Sequence, residues 1–423
     1  MVKDNTLFCK KKDIYIHNRN LILMLLKETL RKLAEIQAGE VKVLDQGTGR
    51  DLLDTIDMQS PLAVIISGVR RCGKSTLLKQ IMKKNRSYNY FNFEDERALN
   101  FEVSDFERLD GVFSEINRGA THYFFDEIQN VPGWEVFVRR KLDEGKKFFI
   151  TGSNSSLMSK ELGTKLTGRH LTYDLFPMSY SEALRLTGES ASLASFDKYF
   201  MTGGFPGYIR HDNDMMLQQV FDDIVVKDIV VRYGLKDPLL VKNLAIYLIT
   251  NSGKEFSYNS LKKSFDVGAA STISNFVSYF EDSYLLFTIP KFSYSYKQQL
   301  MNPKKAYAID HGLARVNSVS FSEDKGRILE NIVFLQLRRQ YPDIYYFREK
   351  SECDFIVKNA AGQLLAMQVC YKLDEDNLRR EMKGLREAMG VAGIKKGLII
   401  TLGQEDKFDD IDVVPAWKWL SGQ

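Results

Sequence analysis

Between residues 61 and 177, short apolar runs alternate with amphipathic stretches. LAVIISG (62–68) is almost wholly apolar and ends in glycine, while KSTLLKQIMKK (74–84) carries its apolar residues at helical spacing. YNYFNFED (88–95), THYFFDE (121–127), KKFFITGSN (146–154) and HLTYDLFP (170–177) read as strands, and GWEVFVRRKLDEG (133–145) as a helix closed by Gly145. Continuous apolar strands separated by helices predict an α/β domain whose parallel sheet is covered on both faces.

The flanking regions have a different texture. Residues 20–36 (NLILMLLKETLRKLAEI) have a broad apolar helical face and predict a packing or oligomerisation helix. After Leu175 the pattern turns helical, through FPMSYSEALRLTG and residues 196–209 to the long segment MMLQQVFDDIVVKDIVVRYG (215–234). Three short helices (238–250, 257–265, 271–284), a strand with a Lys/Tyr-rich hairpin (IPKFSYSYKQQLMNPKK, 289–305) and the strand KAYAID (305–310) come next. A helix over 325–340, strands IYYFRE, DFIVKN and LLAMQVCY, a charged helix over 374–389 and strand KKGLIIT complete a second α/β pattern.

The chemistry concentrates in the first of these regions. GVRRCGKST (68–76) matches G-x-x-x-x-G-K-[ST] between a strand and a helix, the setting of a P-loop. Gly68 and Gly73 let the backbone of Val69, Arg70, Arg71 and Cys72 curl so that its N–H groups face phosphates, and the following helix adds its positive end. Lys74 supplies a point charge between the β- and γ-phosphates, Ser75 a hydroxyl ligand for Mg²⁺, and Thr76 lies near the α-phosphate. Downstream, HYFFDE (122–127) brings Asp126 and Glu127 to the end of a buried strand. There Asp126 binds the Mg²⁺ hydration shell and Glu127 orients and polarises the attacking water. Ser153 and Asn154 end another strand, where a polar side chain either senses the γ-phosphate or caps a helix. Arg169, just before HLTYDL, fits an arginine finger reaching a neighbouring subunit's nucleotide or an ordinary surface arginine. The expected cofactors are ATP and Mg²⁺.

Composition narrows the setting. A hydrophobic share of 44% and a charged share of 27% are those of a globular protein, and a net charge of +4 does not demand a polyanionic partner. Cys9, Cys72, Cys353 and Cys370 include no C-x-x-C pair, which excludes a zinc ribbon or a thioredoxin-like site. The start lacks the apolar core of a signal peptide, and the early run 21–26 is too short to span a bilayer. The expectation is a cytoplasmic protein without a membrane segment.

GVRRCGKSTLL, FFDEIQNVPGWE, FFITGSNSSLMS, the TGR at 167–169, LFPMSYSEA and the GGFP at 203–206 together resemble the AAA-type ATPases of bacteria and archaea. In these the ATPase core is followed by a winged helix and a restriction-endonuclease-like domain of unknown function. The resemblance covers nearly all of the chain after residue 58. It implies that Lys74, Ser75, Asp126 and Glu127 act as described, and it favours Arg169 as the finger. The expected division is an N-terminal helical segment (1–58), a P-loop core with an AAA-type parallel sheet (59–180), a helical connector (181–235), a winged helix (236–318) and a nuclease-like α/β domain (319–423).

The two later domains bear on purpose. In the third middle helix Ile273, Phe276, Val277 and Phe280 form a core face, leaving small polar residues outside. The wing carries Lys291, Lys297, Lys304 and Lys305 among aromatics, a pattern that suits a nucleic-acid backbone or an ordinary packed hairpin. In the last domain Glu330 and Asp354 fit the first two acidic positions of a PD-(D/E)xK nuclease, but Gln368-Val369-Cys370 stands where Glu-x-Lys is expected. Gln368 brings no charge; Lys372 is two residues further, on the same predicted strand face. The expectation is a degenerate domain that binds DNA or protein without cutting. The overall reading is an ATPase, oligomeric if Arg169 acts in trans, working on DNA or a protein complex. The alternatives are a slow nucleotide-gated oligomerisation switch and an ATP-dependent nuclease.

Overall fold

The computed structural model describes residues 26–43, 47–153, 166–318 and 324–422. They divide into two compact units, one holding residues 51–67 and 74–174 with the N-terminal helix, the other residues 48–50, 68–73 and everything from Leu175 onward.

The first unit is built on a parallel five-stranded sheet in the order β2-β3-β4-β1-β5. Its strands are β1 (Ala63–Ser67), β2 (Asn89–Asn92), β3 (His122–Asp126), β4 (Lys147–Gly152) and β5 (His170–Asp174). Both β1 and β4 are buried at every position, as continuous apolar runs require. One face packs an aromatic core of Phe91, Phe93, Phe106, Phe125, Trp134, Phe137 and Phe148 against the helices Asp105–Ile116 and Trp134–Asp143. The N-terminal helix runs over Lys27–Val43 and buries Leu30, Leu33 and Ala34. Its Gln37 amide accepts from the Asn92 N–H (2.9 Å) and donates to the Asn92 carbonyl (3.1 Å), so it satisfies the free edge of β2.

The second unit opens with the helices Tyr180–Thr187, Leu193–Thr202, Pro206–His211 and Asp214–Asp223. The long segment 215–234 is helical but changes winding at Ile224, and Ile224–Val231 is a π-helix. This wider winding buries Ile224, Val225, Asp228, Ile229 and Val230 together. The helices Pro238–Thr250, Tyr258–Ser264 and Ala270–Asp282 follow, the last burying Ile273, Phe276, Val277 and Phe280 as its spacing predicts. Strands β6 (Glu255–Phe256), β7 (Leu286–Pro290) and β8 (Lys304–Ala308) form an antiparallel sheet in the order β6-β8-β7.

Between β7 and β8 the predicted hairpin is interrupted by a helix, Tyr296–Met301. The uniformly basic wing is also corrected. Lys305 is 1% exposed, and Lys291 is paired with Glu349 at 2.9 Å. The remainder is a mixed six-stranded sheet in the order β13-β14-β12-β11-β10-β9. It comprises β9 (Asp343–Arg348), β10 (Glu352–Lys358), β11 (Leu364–Cys370), β12 (Gly397–Thr401), β13 (Asp406–Phe408) and β14 (Ile411–Pro415). The helices Lys325–Gln340 and Leu378–Ala392 pack on it.

The helix Leu378–Ala392 approaches β10 so closely that a Cβ on Gly384 would lie 1.9 Å from the Glu352 carbonyl oxygen. Gly384→Ala gains up to about 1 kcal/mol of helix propensity but forces helix and strand apart, an overpacking cost of about 1–3 kcal/mol. Thermal denaturation should show a lower melting temperature for this variant; an unchanged or raised value would mean that the contact yields freely.

Candidate functional site

In the first unit the chemistry gathers at the C-terminal ends of β3 and β4. Asp126 ends β3 and is buried, with Glu127 next to it in a left-handed conformation (φ 52°). The Thr151 hydroxyl, on β4, donates to Asp126 and accepts from the Glu127 N–H at 3.0 Å. Lys74 and Ser75 begin the helix Lys74–Lys83. The Lys74 ammonium is 3.2 Å from the Glu127 carboxylate, and the Ser75 hydroxyl bonds to Asp126. Gln129 donates to Glu127 and, at 3.3 Å, to the Ser153 hydroxyl.

Burial raises the Asp126 pKa and the neighbouring Glu127 charge raises it further, against the Thr151 and Ser75 hydroxyls and Lys74. A carboxylate and a hydroxyl oxygen are hard donors of the kind Mg²⁺ takes, and a cation there would offset the burial of Asp126. Thr151 and Gln129 lie inside the stretches FFITGSNSSLMS and FFDEIQNVPGWE, but the sequence reading gave the roles there to Asp126, Glu127, Ser153 and Asn154 and none to these two. Arg169 pairs with Asp143 and is partly exposed, so a role in trans requires exchange of that partner. Thr76 is half-buried one residue beyond Ser75. Asn154 lies outside the described residues.

Residues 68–73, which join β1 to the helix Lys74–Lys83, belong to the second unit, and their supports there are specific. A Cβ on Gly68 would stand 2.1 Å from the Leu175 carbonyl oxygen, so only glycine fits. Val69 and Cys72 are fully buried, and the Cys72 thiol donates to the Leu175 carbonyl at 3.3 Å. Arg71 (φ 63°) and Gly73 (φ 106°) take left-handed conformations. Buried Arg50 donates to the Cys72 carbonyl (2.7 Å), the Phe176 carbonyl (2.6 Å) and the Glu182 carboxylate (2.9 Å). Arg70 makes a two-pronged pair with Asp228 (2.9 and 3.1 Å) in the π-helix, and Arg71 lies 3.8 Å from Asp223. Arg70 is therefore committed to protein. Arg50, Asp223 and Asp228 carry no sequence signal for this role.

The second candidate cluster is assembled differently from the sequence expectation. Glu330 and Asp354 do converge, joined by Glu352. The cation among them is Lys305 of β8, with its ammonium 2.8 Å from Glu352, 3.1 Å from Glu330 and 3.4 Å from Asp354. The Tyr307 hydroxyl donates to Glu330 at 2.7 Å. Lys372 is not part of this cluster: β11 ends at Cys370, so the strand alternation that placed Lys372 does not reach it, and it is exposed. Gln368 is buried but engaged, accepting from the Asp354 N–H at 3.2 Å and donating to Glu381 at 2.7 Å. Burial pushes the Cys370 thiol up to about 11, opposite to a nucleophile's need. Among the described residues no three His, Cys, Asp or Glu are arranged to hold a metal ion.

Residues 60–184 match the AAA domain model, so the parallel sheet with its P-loop is an AAA-type P-loop ATPase domain. Residues 193–323 and 325–419 match two domains of unknown function, DUF8612 and DUF4143. The chain is 36% identical over 391 residues to the uncharacterized protein MJ1544 of Methanocaldococcus jannaschii, covering 84% of this chain and 87% of the relative. It belongs to the family of that protein. An uncharacterized protein of Haemophilus influenzae is 29% identical over 379 residues, covering 84% and 93% of the two chains. Among solved structures, domain III of the Thermotoga maritima replication initiation protein DnaA is similar with a TM-score of 0.26 and 16% identity, covering 39% of this chain and 78% of that one. No helix among the described residues is long and apolar enough to cross a membrane.

Two predictions arise at the Lys305 cluster. Asp354 is pushed up to about 8, by burial first and by Glu330 second, against the pull of Lys305. Between the ordinary carboxylate range, about 4, and about 8 the folded chain therefore keeps a proton that the unfolded chain has lost. Asp354 accordingly makes stability fall as pH rises through that window. Asp354→Asn should flatten this fall in melting temperature measured from about pH 5 to pH 8, and parallel curves for the two proteins would dismiss the assignment. Lys305→Met leaves the carboxylates without their cation and should lower stability by about 3–5 kcal/mol in urea denaturation. A loss below about 1 kcal/mol would mean that the ammonium contributes little.

Proposed function

We propose that the protein is an ATP-hydrolysing AAA-type ATPase. The observation that carries the reading is the convergence of Lys74, Ser75, Asp126, Glu127 and Thr151 at one end of the parallel sheet. Residues 68–73 cradle the phosphates through backbone N–H groups, and Lys74 binds the β- and γ-phosphates. Ser75 and Asp126 hold Mg²⁺, which neutralises charge on the phosphates when bound. Glu127 takes the position of the base that orients and polarises the attacking water. Thr151 holds the Glu127 backbone, and Gln129 its carboxylate. Arg169 is the candidate finger toward a second copy of the chain.

The three-helix segment with its β6-β8-β7 sheet is read as a winged helix and the last domain as nuclease-like in fold. Nucleotide turnover would drive these parts on DNA or on a protein complex. The nuclease alternative is disfavoured by Lys305, which sits among the three carboxylates where a divalent cation would bind.

Steady-state phosphate release tests the reading. Glu127→Gln should lower kcat by roughly 100-fold or more while retaining nucleotide binding, and Lys74→Ala should lose binding of a fluorescent ATP analogue. A folded Glu127→Gln variant with undiminished turnover would remove Glu127 from the chemistry. Adding single- or double-stranded DNA to the same assay separates the two targets: stimulation supports DNA, and its absence supports a protein complex.

A further inference from the structure

We propose that a cavity between the helices Pro238–Thr250, His311–Asn317 and Lys325–Gln340 in the second unit binds a small hydroxylated anion of the phosphorylated-sugar class. The cavity measures about 380 Å³, and its polar lining includes Thr250, Lys254, His311, Arg315, Asp324 and Arg327. That volume falls in the range of small-molecule sites.

The first observation is a pair of buried polar atoms without a partner, His311 Nδ1 and Thr250 Oγ1. His311 is 3% exposed, and its Nε2 lies 2.8 Å from the Tyr199 carbonyl oxygen. A carbonyl only accepts, so Nε2 carries the hydrogen. Burial lowers the pKa of the ring and keeps it neutral. Nδ1 is then a bare lone pair, and its complement is an O–H or N–H donor. Thr250 can donate or accept. Native structures pair such groups, and because both residues line one polar cavity, a ligand with hydroxyl groups seated there would complete them.

The second observation is charge. Lys254, Arg315 and Arg327 line the cavity with one acid, Asp324, and Asp214 pairs with Arg315 from outside the lining, which leaves a formal excess of one positive charge (three minus two). Arg315 is held by Asp214 at 3.2 Å and Arg327 by Asp324 at 3.2 Å, which leaves exposed Lys254 as the cation best placed to meet an anion. The same excess disfavours a metal ion on His311 Nδ1. The wall is preorganised: Asn331 accepts from the Ala308 N–H at 2.8 Å and donates to the Ala308 carbonyl at 3.1 Å, so it holds its shape without the ligand.

The test is calorimetric titration of the full chain with its P-loop saturated by Mg²⁺ and a non-hydrolysable ATP analogue. The probes are ribose 5-phosphate, ribose and inorganic phosphate. Ribose 5-phosphate should bind one per chain, at least tenfold more tightly than either fragment. Thr250→Val, which keeps the shape of the side chain, and Lys254→Ala at the exposed rim should each weaken it at least tenfold. ATP hydrolysis should be unchanged in both variants without the sugar phosphate. Absence of saturable heat, binding indifferent to both substitutions, or phosphate binding as tightly as ribose 5-phosphate would each overturn the proposal. None of these outcomes bears on the ATPase assignment.

Discussion

Two carboxylates side by side at the end of a buried strand are the constraint around which the first unit is organised. Asp126 and Glu127 are 3% and 8% exposed, so each loses most of its hydration, and their like charges oppose one another. They are tolerable only because Lys74 and Ser75 come to them from the first turn of one helix and Thr151 from the adjacent strand. This requirement ties the helix Lys74–Lys83, β3 and β4 into one geometry. The left-handed turn at Glu127 adds to it by re-aiming the chain immediately after Asp126, and backbone strain of this kind persists where the surroundings over-determine it. The aromatic core beneath, with Phe125 and Phe148 on β3 and β4, supplies the rigid floor.

The second unit obeys the same rule with different residues. Arg50, buried beside Glu182 and two carbonyls, and Arg70, bonded to Asp228, spend their donors on fixing the loop 68–73. The two-pronged Arg70–Asp228 pair and the three bonds of buried Arg50 give the loop a shape set by protein contacts alone. The π-helix carries Asp228, which is buried among apolar neighbours and kept paired with Arg70.

What could be read from the sequence divides along the same physical line. The central strands β1, β3 and β4 were legible because burial on both faces leaves nearly unbroken apolar runs, whereas the edge strand β5 is only partly buried. The P-loop was legible because its chemistry demands glycine, lysine and a hydroxyl at consecutive positions. Asp126 and Glu127 were legible as acids ending such a run. Lys305 was not. It meets Glu330, Glu352 and Asp354 across 25 to 49 residues of chain, and by local pattern it belonged with the lysines of a basic hairpin. Lys372 was misassigned because strand alternation was extended past Cys370, where β11 ends. Arg50 stands in a stretch with no periodic signal at all. Local pattern carries backbone chemistry well and long-range ion pairing poorly, since no short-range rule couples the partners.

The two lysine–carboxylate clusters also explain why one site is assigned chemistry and the other is not. The Lys74 ammonium lies 3.2 Å from the Glu127 side chain, which retains some exposure. In the proposed ATPase a triphosphate, with more negative charge than one carboxylate, would compete with Glu127 for this ammonium. Lys305 faces three carboxylates and is almost wholly buried. Removing its ammonium would leave the largely buried Glu330 and Asp354 beside the more exposed Glu352 without a cation, a cost of about 3–5 kcal/mol. An exchangeable pair suits turnover; a closed cage suits holding a domain together.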